Sequence, residues 1–182
     1  MEDPPTRFTR LYDRYYRNVL GYALLRAERT TAEDVVSETF LIAWRRLGDV
    51  PDQPLPWLLG VARNLLYKQY GSHDRNRMLV RQMASLTTAA DQAAWDAAEH
   101  VIERDTAVAA LASLSAQDLE ALTLVAWHDL DPREAAAAAG CSPATFAVRL
   151  HRARRRLTRA LATGARPVTT EHDHILRRSH VH

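Results

Sequence analysis

The sequence predicts an all-α protein made of two small helical domains joined by a linker, the second of them a helix-turn-helix. Three observations carry this expectation. Apolar residues recur at steps of three and four rather than alternating, as one face of a helix requires. Glycine is scarce, six in 182 residues. Charge is segregated: residues 1–83 hold 13 basic and 10 acidic groups, 84–105 hold 1 and 5, 106–163 hold 7 and 5, and 164–182 hold 3 and 2. An acidic stretch therefore separates two basic blocks.

Each element has its own local signal. The first helix is expected over about 7–26, with Phe8, Leu11, Tyr15, Val19 and Tyr22 on one face. A second is expected to begin at Thr31, capped by its hydroxyl with Asp34 three residues on, and to bury Val36, Phe40, Ala43 and Leu47. Gly48 and the run PDQPLP (51–56) end it, because proline removes amide donors. A third helix is expected from Pro56 to Tyr70, with Leu58, Val61, Ala62 and Leu65 inward and a break at Gly71-Ser72. Residues 84–104 are acidic and poor in large apolar groups, and are expected to be the linker. In the second block Ser115 with Asp118 opens one helix, and Asp131-Pro132 with Glu134 opens another that Gly140 closes. Ser142-Pro143 repeats the cap-plus-proline signal for the last helix. The expected domains are 1–83 and 105–163, with a polar tail at 164–182.

Composition bounds the function. At 20.5 kDa, with 47% hydrophobic and 25% charged residues, the chain is ordinary for a globular protein and unlike a disordered one. No apolar run approaches the ~20 residues of a membrane span, and the start MEDPP carries no secretory signal. A cytoplasmic protein with no membrane insertion is expected. The single cysteine, Cys141, excludes an intrachain disulfide and a cysteine-rich zinc module.

The strongest motif lies at the end of the second block. Helices over 132–139 and 143–161 are separated only by Gly140-Cys141-Ser142, the short glycine turn of a helix-turn-helix. Along the second helix Phe146, Leu150, Ala153, Leu157 and Leu161 form an inward stripe. Thr145, Arg149, Arg152, Arg156 and Arg159 form an outward one, and residues 149–159 hold six arginines and no acid. Such a helix can lie in a major groove, with its first residues on base edges and later arginines on phosphates. It can also be a solvated basic face.

CSPATFAVRLHRARRRL (141–157) resembles the promoter-reading C-terminal domain of bacterial extracytoplasmic-function (ECF) sigma factors, and LSAQDLEALTLVAWHDLDPREAAAAAG (114–140) is similar to that domain's earlier helices. AEDVVSETFLIAWRRL (32–47) resembles the family's polymerase-binding helix, and WLLGVARNLL (57–66) its downstream promoter-reading helix. The resemblance implies a factor that binds core RNA polymerase at the β′ clamp helices and β flap, reads promoter DNA at its −35 and −10 elements, and answers to an anti-sigma factor. It places polymerase contacts on Asp34, Glu38, Leu41 and Arg45, which share one face. It places −35 contacts on Thr145, Arg149, Arg152 and Arg156. It places −10 recognition and strand opening on Trp57, Asn64 and Tyr67, with Arg63 and Lys68 on phosphates. An aromatic such as Trp57 can replace a lost stacking partner, or it can pack in the core. Asp49, Asp52 and Gln53 are where the family holds an extruded base, and the resemblance sends the acidic linker through the polymerase's RNA exit path. Three features depart from the family: Ser37 stands where glutamine is usual, the loop 51–56 is rich in proline, and helix 132–139 is almost pure alanine, which predicts lighter packing.

Chemistry has no visible seat. There is no phosphate-binding glycine loop, HExxH or nucleophile elbow, and neither a catalytic residue, a metal site nor a cofactor is expected. The histidines of the tail match no established ligand spacing, and Cys141 reads as small packing. The alternative to a sigma factor is a stand-alone helix-turn-helix regulator of duplex DNA, which has no need of the exposed stripe from Asp34 to Arg45.

Overall fold

Helix α1 spans Pro4–Leu24 and starts where Asp3 accepts a hydrogen bond from the Thr6 amide, with prolines in its first turn. The computed structural model describes residues 3–69 and 106–164. Six further helices follow among these residues: α2 (Arg29–Arg45), α3 (Pro54–Gln69), α4 (106–112), α5 (Ala116–Ala126), α6 (Pro132–Ala138) and α7 (Pro143–Gly164), with a short 3-10 turn at Leu47–Asp49. No strand occurs among the described residues. The all-α expectation holds. The break at Gly71-Ser72, the linker 84–104, the domain boundaries on either side of it and the tail 165–182 lie outside the described residues.

Two boundaries differ from expectation for physical reasons. Helix α2 begins at Arg29, and its N-cap Glu28 makes no side-chain cap, so Thr31 does not open the helix. The buried corner Leu25-Arg26-Ala27 sets the start instead. Arg26 lies over the Tyr22 ring, 3.7 Å from its centroid, and donates to the Tyr22 carbonyl at 3.0 Å, folding the chain straight into α2. Helix α3 begins at Pro54 rather than Pro56. The first-turn amides have no partner inside a helix, so two prolines there remove nothing the helix uses.

The buried faces match the periodicity in outline. Leu11, Val19 and Tyr22 of α1, Val36, Phe40 and Ala43 of α2, and Leu58 and Ala62 of α3 are buried; Val35, Thr39, Leu59 and Leu66 join them. Phe8, Tyr15, Leu47 and Leu65 pack on this core half-exposed. The core does not stop at the N-terminal helices. Leu124, Leu130, Ala135, Ala138, Phe146 and Leu150 belong to the same cluster, and a second cluster joins Leu25 to Leu114 and Leu119. The two helical blocks thus share one apolar interior, with α3 packed against α1, α2 and α6.

The alanine-rich α6 has its explanation here. Its buried Ala135, Ala136 and Ala138 bring its backbone up to α3 at Gly60, where an added Cβ would meet the carbonyl oxygens of Ala138 and Ala137 at 3.7 and 3.8 Å. Bulkier side chains would hold the helices apart. The packing is closer than expected, not lighter.

Candidate nucleic-acid and polymerase interfaces

The helix-turn-helix is built by local capping. Asp131 accepts from the amides of Arg133 and Glu134 at 2.7 and 2.8 Å, and the Glu134 carboxylate accepts from the Asp131 amide at 2.9 Å. Gly140 takes φ 65°, a left-handed conformation that disfavours a side chain, and turns the chain out of α6. Ser142 Oγ accepts from the Thr145 amide at 3.1 Å and lies 2.8 Å from the Thr145 hydroxyl. Helix α7 then buries Phe146, Leu150 and Ala153, with Leu157 half-buried and Leu161 exposed.

The outward face follows the expected stripe with one qualification of role. Thr145, Arg152 and Arg159 are exposed and Arg149 is half-buried beside them. Thr145, Arg149, Arg152 and Arg156 line a cleft with Gln117 and Asp118 at the start of α5. Arg156 is not free in that cleft: its Nη1 is bonded to the Asp118 carboxylate, which is 6% exposed. The Thr145 hydroxyl lies against Ser142 Oγ and keeps hydrogen-bonding capacity beyond that contact.

On α3 the expected residues separate into two groups. Asn64, Tyr67 and Lys68 are exposed and Trp57 is half-buried, its ring packed against the core. Arg63 points inward, against the expectation that it flanks them on phosphate. Its Nε donates to Glu120 Oε1 at 2.8 Å and its Nη2 to Glu120 Oε2 at 3.3 Å, while Nη2 also donates to the Tyr67 hydroxyl at 3.2 Å. Glu120 in turn accepts from the Tyr22 hydroxyl at 3.2 Å. The side chains of Arg63 and Glu120 are 17% and 7% exposed. Burial alone would lower the Arg63 pKa; the hydrogen bond and charge of Glu120 outweigh it and hold the guanidinium charged, above its ordinary value. An arginine takes this position because its fork matches a carboxylate at two points.

On α2 all four expected residues, Asp34, Glu38, Leu41 and Arg45, are exposed, opposite the buried Val36, Phe40 and Ala43. The structure adds two residues that the sequence reading missed. Trp44 and Tyr12 are exposed large aromatics, and with Phe8, Phe40 and Leu41 they line an apolar groove between α1 and α2. The Phe8 and Trp44 rings meet edge-on with centroids 5.1 Å apart, and Tyr12 and Phe40 likewise at 4.8 Å. Trp44 is three residues beyond Leu41, so helical spacing was a signal for it; Tyr12 comes from another helix and had none.

Asp49 pairs with Arg46 at 3.0 Å, both exposed, and Asp52 and Gln53 are exposed in the proline loop. Cys141 is half-buried against the core. Among the described residues no group of three His, Cys, Asp or Glu side chains is placed to hold a metal, and no helix is long and apolar enough to cross a membrane.

Comparison with known proteins agrees with this layout. Residues 11–76 match the sigma-70 region 2 family model and residues 104–157 the sigma-70 region 4 model. The chain is 32% identical over 164 residues to the ECF RNA polymerase sigma factor BldN of Streptomyces coelicolor, covering 87% of this chain and 62% of that protein. It is 32% identical over 151 residues to the ECF RNA polymerase sigma factor SigL of Mycobacterium tuberculosis, covering 81% of this chain and 84% of that one. Its fold is similar to that of the sigma factor RpoE solved with the anti-sigma factor NepR from Bartonella quintana, with TM-score 0.55, 22% identity, and 85% and 96% of the two chains covered. It is likewise similar to CnrH solved with the cytosolic domain of CnrY, with TM-score 0.56, 25% identity, and 86% and 88% covered.

Proposed function

The chain belongs to the ECF RNA polymerase sigma factors, and from that membership we propose that it is a cytoplasmic transcription initiation factor which directs core RNA polymerase to specific promoters and assists strand opening, with no chemistry of its own. The observation that carries this reading is the outer face of α2. Asp34, Glu38, Leu41 and Arg45 are exposed along a helix whose opposite face is core, and Leu41 continues into the aromatic groove of Tyr12 and Trp44. An apolar centre with a charged rim is the composition of a protein interface, and a stand-alone DNA regulator has no use for it. This face meets the β′ clamp helices of the polymerase, and the C-terminal block sits at the β flap.

DNA reading is divided between two helices. Thr145 and Arg149, near the start of α7, read the −35 element, while Arg152 holds phosphate and Arg156 shares itself between phosphate and Asp118. Trp57, Asn64 and Tyr67 of α3 capture unstacked bases of the −10 element, with Lys68 on the backbone. An anti-sigma factor restrains the protein, as the complexes of the structural relatives support.

Run-off transcription with purified core polymerase tests the whole reading, and Leu41→Arg tests its core. The variant should bind core polymerase at least tenfold more weakly, about 1.4 kcal/mol or more, with unchanged helical content and melting, because Leu41 is 39% exposed and supports little of the fold. Promoter-specific DNA binding by the free chain, with no run-off product on addition of core, would overturn it.

A further inference from the structure

The outward face of α7 sets one large apolar side chain among its arginines. Val148 is 51% exposed and, with Trp127, the most exposed of the large hydrophobic side chains among the described residues. We propose that Val148 reads the C5-methyl group of a thymine in the −35 element, fixing one base by apolar contact where Arg149 fixes others by hydrogen bonds. The inference rests on the reading of α7 as the helix that enters the major groove.

Direction is the first ground for it. Helix α7 buries Phe146, Leu150 and Ala153. At about 100° per residue, Val148 lies about 160° round the helix from both Phe146 and Leu150. It points straight away from the protein, along the line that goes deepest into a groove. Arg152 stands about 40° and Arg149 about 100° to one side of that line. Phosphates form the walls of the groove and base edges its floor, so a short side chain on the central line meets bases.

The second ground is chemistry. Ala144 and Ala147, the neighbours of Val148 toward the start of the helix, are exposed. Thr145 adds a methyl group beside its hydroxyl. These residues make an apolar corner in the first turns of α7, and Arg149 and Arg152 line the same cleft as Ala144, Thr145 and Val148. Such a corner offers nothing to a phosphate. The apolar group that base pairs display in the major groove is the C5-methyl of thymine. Ala144 and Ala147 carry nothing beyond Cβ, which lets the helix come close enough to the groove floor for a valine to touch it.

Thirdly, the fold has no use for a valine here. Its side chain belongs to neither apolar cluster. A β-branched residue is a poorer helix former than alanine, and an apolar group left in water gains nothing from burial. The contact that repays both costs lies outside the free protein.

The experiment uses holoenzyme, the full chain on purified core polymerase. Its preferred upstream element is selected from a randomised duplex pool, and each thymine of that element, on either strand, is replaced singly by uracil. The replacement keeps every hydrogen-bonding group and removes only the methyl. In competition binding, uracil at one position should weaken the wild-type holoenzyme about three- to fivefold, the worth of one methyl group taken out of water. Val148→Ala should bind the thymine element more weakly by a similar factor and be indifferent to that uracil. Alanine favours the helix, so circular dichroism and melting should not fall. No charge is lost, so the slope of log affinity against log salt should keep its wild-type value.

The uracil series needs no variant, so it decides the matter whatever Val148→Ala does to folding. An element without thymine on either strand, no penalty at any uracil, or a penalty that Val148→Ala keeps in full overturns the inference. Arg149→Ala separates it from the reading beneath it. A base preference that Arg149→Ala flattens, with every uracil silent, loses only the role of Val148. A holoenzyme with no upstream preference at all loses the placement of α7 in the groove, and the role of Val148 with it.

Discussion

Arg152 and Arg156 sit one turn apart on the same exposed face, and their alanine variants should nevertheless behave differently. Arg156 donates to Asp118, whose side chain is 6% exposed, while the arginine itself is 57% exposed. A hydrogen bond to a charged group is worth about 1.5–3 kcal/mol when buried, and the solvent around Arg156 discounts that toward about 1–2 kcal/mol. Arg156→Ala leaves the carboxylate buried without this partner and should cost about that much stability in urea melts. Arg152→Ala should leave stability within about 0.5 kcal/mol, as for an ordinary surface change. The order reverses for DNA. Each phosphate neutralised contributes about 0.9 to the slope of log affinity against log salt, so Arg152→Ala should lower the slope by nearly one unit. Arg156, already neutralised by Asp118, should change it by less than half of that. Adding Asp118→Asn to Arg156→Ala should recover part of the lost stability by removing the stranded charge. Wild-type stability in Arg156→Ala together with a slope lowered as far as in Arg152→Ala would refute the reasoning, because Arg156 would then belong to phosphate and not to Asp118.

Other outcomes follow from the same geometry. Arg149→Ala should weaken binding to the preferred upstream element by about 1–3 kcal/mol and flatten the preference among its base variants, measured by competition binding. Trp57→Ala, removing a half-buried ring, should cost only about 1–2 kcal/mol of stability yet impair strand opening in permanganate footprints, with less loss on a template already mismatched at the downstream element. A normal footprint with a lowered melting temperature would make Trp57 a packing residue. His128 is neutral in the fold, because burial, and then the Arg26 charge, lower its pKa from 6.5 to about 4. Its contribution is complete above pH 6.5 and lost as pH falls through the window to about 4, on the order of 3 kcal/mol at 1.36 kcal/mol per unit; urea melts of His128→Phe should lack this part of the pH dependence.

Much of what depends on neighbours along the chain was legible in the sequence, although the caps of the first two helices were not. The caps at Ser115, Asp131 and Ser142 and the left-handed Gly140 are contacts within three residues, so residue type and spacing suffice to place them. The inward and outward faces of α2 and α7 follow from a period of 3.6, which any helix imposes on its own residues. The exposed stripe of α2 and the arginine face of α7 were visible for that reason.

What joins distant segments was decided by the tertiary structure. Arg63 carries the same sequence context as an exposed, phosphate-facing arginine, and only the approach of Glu120, 57 residues on, turns it inward. Arg156 and Asp118 are 38 residues apart and leave no shared period in the sequence. Tyr12 enters the α2 groove from another helix, and the start of α2 is set by Arg26 folding over Tyr22 rather than by the hydroxyl of Thr31. The alanines of α6 looked like weak packing and instead permit close approach to Gly60. Local periodicity fixes which face of a helix is apolar, but not which other helix it meets. A buried ion pair costs desolvation at both ends and forms only where the fold has already brought its partners together, so its existence is a property of the assembled core and of no segment alone.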